Sequence, residues 1–203
     1  MPSLPTPTPI SRGRLQRPPD FTGARLETFT SVFLRHGLPG ALLGGLCLLG
    51  PGMSELLLEG LAPLAAQPLR AVAIVGGIFA LLTAYACYLA RRFEAQNAGW
   101  IAYLGILSLW EEWVFRVALP EYLQGLALLP WAALLLSNAL FGAVHYFTLR
   151  WRWQWCVGAF LGGVALSRHY DNNASLLAIT AFHWLGTSFN TPRPPSRSDA
   201  RGA

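Results

Sequence analysis

The sequence has no lysine, three cysteines and 12% charged residues in a length of 203. Each scarcity excludes something. A water-soluble domain carries about 25% charged residues, so a chain with half that share and 53% hydrophobic residues must be solvated by lipid. Cys47, Cys87 and Cys156 sit singly in apolar runs without a CxxC pair. That removes a disulfide framework and a thiolate metal site and leaves them as packing residues. All fifteen basic residues are arginine, a bias that reflects the base composition of the source genome and carries no mechanism. The formal net charge of +5 lies mostly beside apolar segments, where arginines act as topology signals, so no nucleic-acid partner is expected. No internal repeat is visible, and the third and fourth apolar segments read as unbroken helices; both points argue against a transporter.

What is present is a succession of apolar segments, and the expected fold is all-α: a polytopic membrane bundle of about six transmembrane helices. Residues 1–28 read as a disordered cytoplasmic tail, since Met1 to Asp20 hold six prolines and three arginines and cannot build a helix or a core. The first apolar run begins too far along for that tail to be a secretory signal peptide. Residues 29–190 form the bundle and 191–203 a second cytoplasmic tail. Stretches long enough to cross a bilayer, about 20 residues each, run over 29–50, 69–90, 100–119, 126–147, 153–167 and 174–189. The first is the weakest because Arg35, His36 and Pro39 interrupt it; an arginine near a helix end snorkels to the interface. Residues 56–69 read as interfacial.

Arginine placement sets the orientation. Arg12, Arg14, Arg17, Arg25, Arg35, Arg91, Arg92, Arg150, Arg152, Arg193, Arg197 and Arg201 all fall on one side of six crossings, and only Arg70 and Arg168 fall on the other. The positive-inside rule then puts both termini in the cytoplasm. Trp100, Tyr103, Trp151, Trp153 and Trp155 are expected in the interfacial aromatic belt. Gly40 with Gly44, and Gly158 with Gly162, are small-xxx-small pairs suited to close helix packing.

Ionisable groups inside such segments carry the chemistry. Glu111, Glu112 and Arg116 lie in the third span, where each charge costs roughly 3 kcal/mol on insertion scales. Glu112 and Arg116 are four residues apart on one face and neutralise each other. Glu111 points about 100° away and is left as the poised carboxylate. A purely structural ion pair is the plainer reading, although buried membrane charges are by default functional. In the fourth span Asn138, Phe141, Gly142 and His145 share one face, and in the sixth Thr180, His183, Thr187 and Asn190 do the same. Either histidine alone reads equally well as an interhelical hydrogen bond. Two histidine stripes beside an unpartnered glutamate point to one polar cavity. At about 1.5 Å per residue, Glu111 and His183 reach similar depths, whereas His145 lies only about 8 Å from Arg150, so the cavity is expected to open to the cytoplasm. His36 and His169 fall at a span end and in a loop and are read as solvated or interfacial.

Glu111-Glu112-x-x-x-Arg116, then Phe141-x-x-x-His145, then His183 resemble the three motifs of the CPBP family, the CAAX proteases and bacteriocin-processing proteins of membranes. The resemblance covers about 100–190. It implies a metal-free glutamic peptidase: Glu111 as general base on water, His145 assisting, His183 holding the oxyanion, and the Glu112 to Arg116 pair orienting the helix. The family usually has asparagine or aspartate four residues after the last histidine, where this chain has Thr187. A threonine hydroxyl supplies one donor but less reach, and Asn190 stands one turn further as a substitute. The resemblance also implies membrane lipid and a protein or peptide substrate as partners. A C-terminal anchor segment of an exported protein is one such substrate, as cut by myxosortases, and the setting is a bacterial inner membrane. No cofactor is expected. The alternatives are a zinc-dependent version using the same carboxylate and histidines, though no HExxH spacing is present, and a non-catalytic binding protein such as a bacteriocin-immunity factor.

Overall fold

A computed structural model describes residue 15 and residues 28–194. The expected tails, 1–28 and 191–203, therefore lie almost wholly outside the described residues. Among those described the chain is all helix: α1 (Phe29–Val32), α2 (Leu38–Cys47), α3 (Met53–Ala66), α4 (Pro68–Ala90), α5 (Ala95–Glu112), α6 (Leu119–Gly125), α7 (Pro130–Thr148), α8 (Trp153–Asn173) and α9 (Leu176–Asn190). Two π-helical stretches, Phe33–Gly37 and Trp113–Ala118, join α1 to α2 and α5 to α6 without leaving helical backbone angles. The third span, expected to be unbroken, is therefore interrupted by wide turns, which free backbone carbonyls for outside partners. Ser137 Oγ of α7 donates to Phe115 O at 2.6 Å inside the second stretch.

By length and composition α4 is the one described helix apolar enough to cross a membrane unaided, with a mean hydropathy of 2.1 over its best window. The helices that bear polar side chains lose hydropathy to those residues, and the first and third spans are each split by a π stretch. Most of α4 faces outward, with Leu69 85% and Val72 70% exposed, as a lipid-facing surface requires. Two apolar clusters hold the bundle. One gathers Trp113, Val114, Phe141, Leu176 and Ile179; the other gathers Val32, Leu82, Trp100, Ile101, Leu104 and Trp184.

Packing corrects two expectations. Trp100 is 4% exposed and its indole N–H donates to Thr191 O at 2.7 Å, so it is a core residue and not part of an aromatic belt. Gly158 and Gly162 have open space where a Cβ would stand; α8 turns that face away from its neighbours. Close approaches come at Gly44 of the other pair, where a Cβ would meet the Trp110 ring, at Gly142 against the Cys156 carbonyl of α8, at Gly105 under the Trp184 ring, and at Gly163 against Asn138 and Arg116. Arg35 is partly exposed, and its guanidinium donates to Phe147 O at 3.2 Å and Thr148 O at 3.4 Å. It caps the carbonyl end of α7, where a cation is favoured by the helix dipole.

A candidate active site of two glutamates and three histidines

Three helical segments fix the centre. Glu111 and Glu112 end α5, and the π turn beginning at Trp113 places Arg116 back over Glu112, Nε to Oε2 at 3.2 Å, with both side chains fully buried. Charges meet there without a well-aligned hydrogen bond. The Arg116 guanidinium also lies 4.2 Å above the centre of the Phe141 ring, a cation–π contact of about 2 kcal/mol when desolvated. The other sides of that ring meet His145 at 4.5 Å and His183 at 5.6 Å between centroids. Phe141 thus braces the arginine and both histidines, which gives a physical reason for an aromatic residue four positions before His145.

His145 is 3% exposed; its Nδ1–H donates to Phe141 O at 2.8 Å and its Nε2 lies 3.8 Å from Glu111 Oε1. Trp151 covers the ring at 4.5 Å. One turn after His145 the chain leaves the helix through Arg150 at positive φ, and Trp151 N–H returns to His145 O. His183 of α9 sets Nδ1 2.6 Å from Glu112 Oε1 and Nε2 3.5 Å from Glu111 Oε2. The expected convergence of Glu111, Glu112, Arg116, His145 and His183 is present.

Glu111 is not without a partner, however. His36 was expected in solvent or at the interface, yet it is 4% exposed and its Nε2 stands 2.8 Å from Glu111 Oε1. The π stretch Phe33–Gly37 turns His36 inward, and Nδ1 of the ring is 2.7 Å from Thr148 Oγ1. Asn190 is exposed, and its amide donates to Gly186 O of its own helix, so it does not replace a missing donor. Thr187 is half-buried, and among the described residues no hydrogen bond ties its hydroxyl to the cluster. Asn138 is fully buried and donates to Ser167 Oγ at 2.9 Å, linking α7 to α8 behind Arg116.

Residues 93–189, which contain every motif residue named above, match the family model of the type II CAAX prenyl endopeptidase Rce1-like proteins. Over that segment the chain is similar to the CPBP family. That family is one of integral membrane peptidases, and the helical bundle fits it. No curated protein and no solved structure matches the chain. His36 lies in the N-terminal half, outside the matched segment.

Proposed function

We propose that this chain is an intramembrane endopeptidase whose general base is Glu111 and whose reaction needs no cofactor. The observation that carries the reading is the approach of the His145 and His183 Nε2 atoms to the two oxygens of one buried carboxylate, at 3.8 and 3.5 Å. A water held between Glu111 and His145 gives its proton to the carboxylate, and its oxygen adds to the peptide carbonyl. The carbonyl electrons become an oxyanion. His183, anchored through Nδ1–H on Glu112, presents a proton on Nε2 to that oxyanion, with Thr187 a weaker second donor. Collapse breaks the C–N bond, and the proton from Glu111, passed through His145, leaves on the amine. His36 holds the carboxylate in place.

The bundle is read as crossing the membrane six times with both termini cytoplasmic, in a bacterial inner membrane. The substrate is a membrane-adjacent peptide, for which a C-terminal anchor of an exported protein is our specific choice. The test is hydrolysis by purified protein in lipid. Glu111→Gln and His145→Ala are each expected to lower turnover by about 10² to 10⁴ while the protein stays inserted and helical. A Glu111→Gln variant near wild-type turnover rejects the assignment, and shifted C-terminal peptides in the membrane proteome of that variant name the substrates.

A further inference from the structure

We infer that His36, Glu111 and His145 form a binding site for a zinc-class divalent cation, and that occupation of this site blocks the base. The second clause rests on the function proposed above. The inference starts from hydrogen bonds around the rings. Thr148 Oγ1 spends its single proton on Val144 O at 2.7 Å, so it accepts the bond from His36 Nδ1–H at 2.7 Å. His145 Nδ1–H is likewise spent, on Phe141 O. In their neutral forms both rings therefore turn an Nε2 lone pair toward Glu111. At 2.8 Å, His36 Nε2 and Glu111 Oε1 are held together by a shared proton, which a divalent cation bound to both atoms would replace.

The geometry suits a metal. The donor atoms of His36, Glu111 and His145 all lie within 4.8 Å of one another, and all three residues are buried. Zinc bonds of 2.0–2.2 Å place neighbouring donors about 3.3 Å apart, and the observed 2.8 and 3.8 Å separations from Oε1 bracket that value. Two imidazoles and one carboxylate are a known zinc set with room for further ligands, and nitrogen donors select zinc over magnesium or calcium. Each histidine is also oriented by an oxygen acceptor on its other nitrogen, the support that metal-ligating histidines require. The ligands come from three helical segments, so an ion here ties the Phe33–Gly37 stretch, α5 and α7 together. It also captures the Oε1 lone pair that the hydrolytic reaction needs.

The test uses full-length protein in detergent, stripped with chelator and titrated with Zn²⁺, with Mg²⁺ as comparison. One zinc per chain is expected, with nitrogen and oxygen neighbours in the X-ray absorption spectrum, no magnesium binding, and peptide hydrolysis that falls as the site fills. His36→Ala is expected to weaken zinc at least about 100-fold. His36→Cys is expected to keep it and to add one sulfur neighbour at about 2.3 Å, a signature that a merely structural His36 does not give. No stoichiometric zinc, or zinc without sulfur in the cysteine variant, overturns the site and leaves the peptidase reading standing. Zinc bound at His36 with faster hydrolysis overturns the blocking role. Zinc bound at His36 with no hydrolysis at any loading supports the site and defeats the peptidase reading.

Discussion

His183 stands between the two acids of α5, its Nδ1 2.6 Å from Glu112 and its Nε2 3.5 Å from Glu111. One imidazole thereby couples the glutamate that is locked to Arg116 with the glutamate that faces the other histidines. The adjacent acids, identical in type, are assigned different work by their partners.

Glu112 is the partner of the buried Arg116. Replacing it by glutamine leaves the Arg116 guanidinium buried without a counter-charge, which costs about 3–5 kcal/mol. Glu111→Gln strands no arginine. Thermal unfolding in detergent should therefore rank Glu112→Gln well below Glu111→Gln in stability, and the reverse order would contradict the pairing.

Gly163 and Gly162 are neighbours with opposite surroundings. A Cβ on Gly163 meets Asn138 and Arg116, both buried, whereas one on Gly162 meets open space. Gly163→Ala is expected to destabilise by about 1–3 kcal/mol through overpacking and to slow hydrolysis by displacing Arg116. Gly162→Ala should be neutral in both measurements.

The last turns of α9 separate the weak donor from the bystander. Asn190→Ala should leave turnover unchanged, because its amide serves only Gly186 O on the exposed side. Thr187→Ala should cost less than about tenfold, and His183→Ala about 10² to 10³, the usual loss for an oxyanion donor. Equal losses for Asn190 and His183 would overturn the arrangement.

Arg35→Met removes the cap from the end of α7. The guanidinium is partly exposed, so the loss is about 0.3–1 kcal/mol, too small to unfold the bundle. Hydrogen exchange should nevertheless quicken at Leu149 and Trp151, whose amides close on His145 O, and a pattern unchanged there would reject the capping role.

The CPBP motif residues were legible because each is a polar side chain in an otherwise apolar helix, and helical spacing fixes which of them share a face. His36 was not, although the same rule applies to it. Arg35 and His36 are adjacent polar residues inside an apolar run, the signal that singled out Glu111 and Glu112. Nearness to a span end favoured the interfacial reading, and the inward turn of the ring depends on a π stretch that leaves no periodic trace in sequence. Glycine spacing likewise marked α8 as closely packed but not the face, which depends on where Asn138 and Arg116 project from other helices. Trp100 was assigned to the belt by its place near an end, while the Thr191 carbonyl that holds it belongs to a distant part of the chain.

The π stretch Phe33–Gly37 closes its hydrogen bonds across one residue more than an α-helix does. On its N-terminal side Phe29 packs edge-on against Tyr103; within it His36 reaches Glu111. Removing one residue would rotate one part of this helix relative to the other by about 100°. An ordinary helical repeat would then have to give up either the aromatic anchor or the third imidazole, so the irregular turn is the reason that this chain keeps both.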